Sequence, residues 1–364
     1  MSDLRPLKIA MLTSFPLDLT VGSGVVRMIL GYAAAFQKAG YHVQIFHPSF
    51  RGDSYLNIAL RRLKFNRALA AQRFEEFDLV IGSDFDGYAL KRLTAPKVVL
   101  NAGILADIIR FERGKIARIL QHLARRECQN VQSAALTVVP SHYTARRLHQ
   151  LYKTPASRIA VIPLGIDLEQ WRQWKNACQP LSLKETVILS VARQYPRKGI
   201  KDLILAFKKT VARVDNVRLI VVGGGPQAEA NRSLARQLNL TGKITFVGDL
   251  KDQTQLAGYY RSAHIFCLPS YHETFGLVFL EAMYFGLPIV AYASTAIPEV
   301  VTPEQGLLCP PGDIDSLSEK LLTLIGSAKL RNKMGASGKE RVKQFSWQNS
   351  AAQLLKRANF FGNR

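Results

Sequence analysis

Two series of short apolar strands, each alternating with helical stretches, constrain this chain more than any single residue does. The first begins at Lys8-Ile9-Ala10-Met11-Leu12-Thr13, passes through Val21-Gly22-Ser23-Gly24-Val25-Val26-Arg27 into an apolar helix running to about Gly40, and returns at Tyr41 to Phe46. Strand, glycine turn, helix and strand make a βαβ unit. Further strands follow at Asp78 to Gly82, Lys97 to Asn101, Leu136 to Pro140 and Ala160 to Pro163. The second series opens at Thr186 to Arg193. It continues through a helix striped with Leu203, Ile204, Phe207 and Val211, then strands at Arg218 to Val222, Ile244 to Val247, His264 to Leu268 and Ile289 to Tyr292. This alternation predicts an α/β fold of parallel, doubly wound sheets that bind ligands at the carboxyl ends of their strands. The two halves agree in architecture without repeating in sequence.

A chain of 364 residues suits two domains, each with its own core. We expect an N-terminal domain over 1–168, a linker over 169–184 where a polar, tryptophan-containing stretch with Pro180 interrupts the alternation, and a C-terminal domain over 185–345. The tail, 346–364, carries Trp347 and the apolar series Leu354, Leu355, Ala358 and Phe361. Hydrophobic content of 48% against 21% charged residues marks a globular chain rather than a disordered one. No run of about 18 uninterrupted apolar residues exists, so no membrane span is expected. Met1 to Pro6 is polar and lacks an apolar signal core. Cys128, Cys178, Cys267 and Cys309 are too scattered for a metal clip or a redox motif and read as reduced thiols of a cytoplasmic protein. The net charge of +22 is compatible with nucleic acid, anionic membrane or phosphorylated substrates. Against nucleic acid, the sequence has no recognition-helix signature, zinc-finger spacing or ribonucleoprotein motif.

Chemistry concentrates in the stretch from His272 to Val290, where Glu273 and Glu281 lie either side of an expected loop-to-helix junction. Thr274 reads as the N-cap of an apolar helix from Phe275 to Phe285 that stops at Gly286 before Pro288. Such a helix start points free N–H groups and a positive dipole end at an anion. The plainer reading is a buried helix with one tolerated Glu, but a buried carboxylate requires a polar partner, from the protein or from a ligand. Two carboxylates beside an anion-binding helix start suit a phosphorylated, hydroxyl-bearing molecule such as a nucleotide sugar. At the end of the preceding expected strands, Arg193 and Lys198 offer a fork and a point charge for phosphate, although surface solvation explains a Lys equally well. Gly223, Gly224 and Gly225 permit close backbone approach or a simple tight turn, and Glu299 is either a cap or a ligand contact. The first glycine turn is a poor dinucleotide fingerprint. Its third glycine position holds Arg27, and the second strand ends in His47 rather than an acidic residue.

Taken together these residues resemble the retaining, nucleotide-sugar-dependent glycosyltransferases of family 4, whose GT-B fold consists of two facing Rossmann-like domains with a central cleft. The resemblance covers nearly the whole chain. Arg193 and Lys198-Gly199 look like the family's diphosphate clamp, Gly223 to Pro226 like its glycine turn, and Glu273 and Glu281 like its paired glutamates. Val161 to Asp167 is similar to the usual domain-closing strand, with Leu164 where Asn is commoner. The resemblance implies that Glu273 contacts the donor sugar, that Thr274 and the backbone N–H groups of Phe275, Gly276 and Leu277 cap the diphosphate, and that Glu281 holds the ribose. Arg193 and Lys198 would neutralise the departing nucleoside diphosphate. Gly22 and Gly24 look like the glycine loop of the first domain, with Arg27 at the following helix start. Asn101 stands where many members carry a histidine near the reacting sugar. It can hydrogen-bond but cannot act as a general acid or base, and a front-face route, in which the leaving diphosphate takes the acceptor proton, needs no protein base.

The first domain is the acceptor side of such a fold. Arg51 to Arg73 is basic, with Arg61, Arg62, Lys64 and scattered leucines, and Asp84 follows a strand on the same side. Arg110 to Arg126 is a second basic stretch whose stripe of Ile116, Ile119, Leu120 and Leu123 also fits a core-facing helix. Asp84-Phe85-Asp86 could suggest a metal-binding pair, but two acids arise easily at this spacing and no metal role is expected. The sequence therefore leads us to expect a metal-independent enzyme using a UDP- or GDP-linked sugar, peripheral at the inner face of the cell membrane, acting on a lipid-linked or lipopolysaccharide-type glycan, with no nucleic-acid partner. Two alternatives stay open: a soluble glycosyltransferase making a small glycoside or disaccharide, and a catalytically silent scaffold that binds nucleotide or glycan. In this fold the last helix is expected to cross back to the first domain.

Overall fold

The computed structural model describes residues 6–18, 23–50 and 55–362, so Gly22 lies outside the described residues. The chain divides into two compact units, one formed by residues 1–165 with 346–364 and the other by residues 166–345. In the first, β1 (Lys8–Leu12), α1 (Ser23–Lys38), β2 (His42–Phe46), α2 (Tyr55–Leu69), β3 (Leu79–Ser83) and β4 (Lys97–Leu100) lead to α3 (Leu105–Ile108) and α4 (Gly114–Gln132). β5 (Leu136–Val139), α5 (His142–Tyr152) and β6 (Ile159–Val161) complete it. The second unit begins with α6 (Leu168–Ala177), β7 (Thr186–Val191), α7 (Ile200–Val211), β8 (Val217–Val222), α8 (Ala228–Gln237), β9 (Ile244–Gly248) and α9 (Gln253–Ser262). It continues through β10 (Ile265–Leu268), α10 (Leu277–Phe285), β11 (Ile289–Tyr292), α11 (Ile297–Val300), β12 (Gly306–Cys309), α12 (Ile314–Ile325) and α13 (Ala328–Val342). The last helix, α14 (Trp347–Gly362), belongs to the first unit.

Each unit contains one six-stranded sheet, ordered β2-β1-β3-β4-β5-β6 and β12-β11-β10-β7-β8-β9, with every neighbouring pair parallel. Helices cover both faces of such a sheet, which is why β3, β4, β5, β10 and β11 are mostly apolar, with Ser83, Lys97 and Thr137 as exceptions, and are buried at every position. In both sheets the direction of winding reverses once, between β1 and β3 and between β7 and β10. Those reversals open crevices at the strand carboxyl ends, where doubly wound sheets place ligands. β12 was not expected from the sequence: four residues opening on a glycine carry little periodicity, and the strand is defined by its pairing with β11.

Within residues 169–184, expected as a linker, residues up to Ala177 form part of α6. Asp167 caps this helix by accepting from the Gln170 N–H, and Trp171 is buried against Tyr260 and Phe285, with ring centroids 5.8 and 5.7 Å away. One large aromatic anchors an otherwise polar helix, so the apolar periodicity is too sparse to announce it. No helix among the described residues is long and apolar enough to cross a membrane.

The attachment of α14 rests on Trp347. Its ring lies over Gly31 of α1 so closely that a Cβ there would fall 2.2 Å from it, and it meets Tyr32 at 5.5 Å between centroids. Ser350 donates to the Pro163 carbonyl at 2.7 Å, tying the helix to the end of the first sheet. Removing a buried indole costs about 3–5 kcal/mol through lost contacts and the cavity left behind. Trp347→Ala is therefore expected to lower stability by about that amount in chemical denaturation, and a loss under about 1 kcal/mol would contradict this packing.

Candidate active site

Two loops at the β7/β10 reversal are joined residue by residue. After β7 the chain makes a short turn over Pro196–Lys198 and enters α7 at Gly199, whose φ of 67° is left-handed. A Cβ at Gly199 would lie 2.0 Å from the Pro269 carbonyl oxygen, so only glycine lets this turn press against the end of β10. The Tyr271 N–H donates to the Arg197 carbonyl at 2.8 Å and closes the second point of contact. The result is that Lys198 Nζ reaches Glu273 Oε1 at 2.6 Å, 75 positions away in sequence.

Glu273 is buried and held on several sides. The Ser270 hydroxyl donates to the same Oε1 at 3.0 Å, and the Glu273 N–H donates to Thr295 Oγ1 at 2.9 Å. Burial works to raise its pKa, but the attraction and hydrogen bond of Lys198, with the Ser270 hydroxyl, outweigh it and hold the carboxyl below the usual range. Lys198 has three donor hydrogens and uses one on Glu273, so the pair retains capacity for an anion. Asp202, in the first turn of α7, accepts from Tyr271 at 2.5 Å and from Tyr292 at 2.9 Å, which fixes the helix that follows Lys198.

The turn after β8 packs on the same loop. Gln194 donates its backbone N–H to the Gly224 carbonyl and its Nε2 to the Gly223 carbonyl, both at 2.7 Å, while Asn231 Nδ2 donates to Gln194 Oε1 at 2.8 Å. A Cβ at Gly223 would fall 2.1 Å from the Ala192 carbonyl oxygen, so this glycine is required by the backbone contact itself. The Gly224 N–H is occupied by Asp249 Oδ1 at 2.7 Å. The structure thus places Arg193, Lys198, Gly223, Gly224 and Glu273 on loops along one sheet edge.

Thr274 is not the N-cap expected from sequence. The cap is Gly276, left-handed at φ 92°, and α10 starts at Leu277 rather than Phe275. A Cβ at Gly276 would lie 2.5 Å from the Phe279 ring, so the apolar side chain folded over the helix start selects glycine where pattern reading selects a hydroxyl. Phe275 is buried beside the Phe345 ring. The N–H groups at the Leu277 end of α10 remain the kind of helix start that binds anions. About one turn in, Glu281 is buried and accepts from the Tyr260 hydroxyl at 2.8 Å, the protein partner that its burial demands. Glu299 lies on α11, with its backbone carbonyl accepting from Arg341 at 3.1 Å.

In the first unit, the carboxyl edge of the sheet holds a second polar cluster. Asp86 accepts from the Ser14 N–H at 2.8 Å, Asn66 Nδ2 at 2.8 Å and Ser83 Oγ at 2.9 Å, and so ties β1, α2 and β3 together. Its neighbour Asp84 sits at φ 51° and accepts from the Ala102 N–H at 3.2 Å. Asn101 is buried at the end of β4, its Nδ2 donating to Glu127 Oε1 at 2.9 Å; Glu127 Oε2 accepts from the Leu105 N–H at 2.8 Å and from the Tyr152 hydroxyl. Burial pushes the Asp84 carboxyl up to about 7, with Arg62 opposing and Asp86 reinforcing the rise; burial likewise pushes Glu127 up to about 8, reinforced by Asp84. Among the described residues no group of three or more His, Cys, Asp and Glu side chains is placed to hold a metal ion.

Arg62, expected on the outward basic surface, is instead inside. Its guanidinium lies between the Phe15 and Phe85 rings, 3.9 and 4.2 Å from their centroids, and its Nε donates to Ser14 Oγ at 2.7 Å. Helix α2 buries Ala59, Arg62, Asn66 and Leu69 and exposes Leu56 and Leu60 together with Arg61, Lys64 and Arg67. This inversion, arginine inward and leucine outward, defeats an amphipathic reading. α4 behaves as its stripe suggests: Leu120 and Leu123 are buried, Glu127 and Asn130 turn inward beside them, and Arg113, Lys115, Arg118 and Arg125 are exposed. Gly24 is in the first turn of α1, with no atom within 4 Å of where a Cβ would stand, and Arg27 follows half-buried. Of the residues that sequence reading missed, Glu127, Tyr152, Asp202 and Gln194 act through partners far away in the chain, whereas Ser270 acts on Glu273 three residues on; they share no motif.

Two family models match this chain: "Glycosyltransferase Family 4" over residues 22–170 and "Glycosyl transferases group 1" over residues 174–341. The D-inositol 3-phosphate glycosyltransferase of Corynebacterium efficiens is 32% identical over 247 residues, covering 64% of this chain and 58% of that protein. The GDP-mannose-dependent alpha-(1-6)-phosphatidylinositol monomannoside mannosyltransferase of Mycobacterium tuberculosis is 30% identical over 228 residues, covering 59% of each. The chain therefore matches less than two thirds of the length of these relatives. The structure of sucrose-phosphate synthase from Thermosynechococcus elongatus superposes with a TM-score of 0.78 over 97% of this chain and 99% of that one, at 23% identity.

Asp84 and Glu127 bear on stability directly. Both carboxyls are raised in the folded state, so the folded chain holds more protons than the unfolded one, and this contribution is lost as pH climbs through about 7 and 8. The melting temperature is expected to fall across that rise, and Asp84→Asn to flatten the fall. An unchanged slope in the variant, followed by scanning fluorimetry from acid to mildly alkaline pH, would count against the buried pair.

Proposed function

This chain belongs to glycosyltransferase family 4, and on that premise we propose that it is a retaining enzyme that moves a sugar from a nucleoside-diphosphate sugar to a lipid-linked or cell-envelope glycan. The observation that carries this reading is the Lys198–Glu273 pair, 2.6 Å apart at the reversal point of the second sheet, beside the start of α10. Cation and carboxylate in contact divide the substrate between them. Lys198, Arg193 and the α10 N-terminus meet the diphosphate, Glu273 meets sugar hydroxyls, and Glu281 receives the ribose.

In the reaction, the bond between the sugar's anomeric carbon and the diphosphate oxygen breaks, and a bond to the acceptor oxygen forms on the same face. The acceptor's proton passes to the leaving diphosphate, which departs as the nucleoside diphosphate. Charge accumulates on the leaving oxygens as this happens. Fixed positive groups aimed there lower the barrier more than they help ground-state binding. Lys198 and Arg193 supply that charge from side chains, so the scheme needs no metal. A GDP- or UDP-linked sugar fits it, and the mycobacterial relative carries GDP-mannose in its name.

The outward face of α2 is the proposed contact with an anionic membrane surface. Leu56 and Leu60 are 50% and 55% exposed beside Arg61, Lys64 and Arg67, a pairing of apolar side chains with cations that suits headgroups lying over acyl chains. Each basic residue near anionic lipid adds about 1 kcal/mol of attraction. On this reading the protein is peripheral at the inner face of the cell membrane, with the first unit on the acceptor side.

Transfer from GDP-mannose and UDP-glucose, with detergent-solubilised envelope lipid as acceptor, tests the activity. Lys198→Ala and Glu273→Ala are each expected to lower kcat/KM about 100-fold or more, and chelation by EDTA to leave the rate unchanged. Full activity in both variants would overturn the assignment. In vesicle flotation the protein is expected to rise with phosphatidylglycerol-containing vesicles and to stay down with neutral ones, and Leu60→Glu to abolish the difference; indifference to lipid charge would remove the membrane part alone.

A further inference from the structure

Thr295 has a φ of 50°, in the left-handed region, and it is β-branched, the class of side chain that this region tolerates least. The other described non-glycine residues with positive φ are Asp84, Lys153 and Asn239. Lys153 caps the end of α5 and Asn239 follows α8, places where left-handed residues commonly end helices. Thr295 ends no helix. It lies in the loop between β11 and α11, at the carboxyl edge of the second sheet.

Glycine would hold that turn without strain, but it could not supply the hydroxyl. Thr295 Oγ1 accepts from the Glu273 N–H at 2.9 Å, the Ala296 N–H donates to the Glu273 carbonyl at 3.3 Å, and the Ser294 hydroxyl donates to the Ser270 carbonyl at 2.5 Å. Residues 294–296 thus grip both backbone groups of Glu273 and the backbone of Ser270, whose own hydroxyl donates to Glu273 Oε1. Lys198 holds the carboxylate from the β7 side, and this loop holds the backbone from the β11 side. Strain of this kind persists only where surrounding contacts over-determine it. The Ala293 N–H on the Cys309 carbonyl at 2.8 Å and the Ile297 N–H on the Ser294 carbonyl at 3.0 Å fix the loop on either side of Thr295.

We infer that Thr295 is a positioning residue: its hydroxyl, carried on a strained backbone, sets how Glu273 presents its carboxylate to the transferred sugar. This inference rests on the reading of the chain as a nucleotide-sugar enzyme and adds to it the loop that aims the sugar-binding carboxylate.

Three substitutions separate the hydroxyl from the backbone. Thr295→Ser keeps the hydroxyl, whereas Thr295→Ala and Thr295→Gly both remove it and only glycine relieves the left-handed conformation. Glycine in place of alanine ordinarily lowers stability through the freedom it adds to the unfolded chain. Here Thr295→Gly is expected to melt a few degrees above Thr295→Ala, because alanine is the residue out of place at positive φ. Affinities for GDP, UDP, GDP-mannose and UDP-glucose are then measured by calorimetry, together with transfer rates. Thr295→Ala and Thr295→Gly are expected to bind the free nucleotide within about threefold of wild type and to lose about tenfold or more in affinity for the nucleotide sugar and in kcat/KM; Thr295→Ser is expected to stay within about threefold throughout. A residue that only stabilised the fold would give back activity as Thr295→Gly gives back stability. Full activity in Thr295→Ala, activity recovered by Thr295→Gly, equal losses for nucleotide and nucleotide sugar, or Thr295→Gly melting below Thr295→Ala would each overturn the inference. Failure of the wild type to bind either nucleotide sugar, or of Glu273→Gln to lose the sugar's contribution, would instead overturn the functional reading on which it rests.

Discussion

The contact between Lys198 and Glu273 is the interaction on which the chemistry proposed for the second unit depends, and it exists because two backbones approach closely. Gly199 against Pro269 brings the β7 and β10 loops together at the place in the sheet where the direction of winding reverses. A desolvated carboxylate is costly alone and tolerable beside a cation with hydrogen bonds around it. Ser270 and Thr295 complete that shell, and Asp202 with its two tyrosines fixes the helix behind the cation. The site is therefore prepared before any ligand arrives, which is the condition for charge stabilisation without reorganisation.

The first unit repeats the architecture and uses it differently. Its reversal point between β1 and β3 is closed by Asp86, which takes three hydrogen bonds and cements the loops. Arg62, held between two aromatic rings, faces the neighbouring Asp84 electrostatically. Beyond it, Glu127 organises the end of β4. Buried polar groups in such numbers are high-stakes, since each unsatisfied atom is expensive.

Much of this was legible in the sequence. Strand-helix alternation gave the fold class, because parallel strands covered on both faces must be short apolar runs. Glu273 and Glu281 were legible because a carboxylate inside an apolar run has to be explained by a partner. What escaped depended on contacts distant in sequence. Arg62 was read as surface because α2 inverts the usual pattern, burying Arg and Asn while exposing Leu. Thr274 was read as the cap because a hydroxyl is the common choice, whereas the packing of Phe279 over the helix start requires Gly276. Glu127 lies 26 residues from the asparagine it holds, in a helix whose stripe announced only a core, and nothing local marks it.

The central claim is that one ion pair separates recognition of phosphate from recognition of sugar. Titration of GDP and UDP, and of GDP-mannose and UDP-glucose, into the wild type, Glu273→Gln and Lys198→Ala tests it most directly. The account predicts that Glu273→Gln keeps its affinity for the free nucleotide while losing the increment contributed by the sugar, and that Lys198→Ala weakens both. Equal losses for nucleotide and nucleotide sugar in Glu273→Gln would contradict the division of labour on which the functional reading stands.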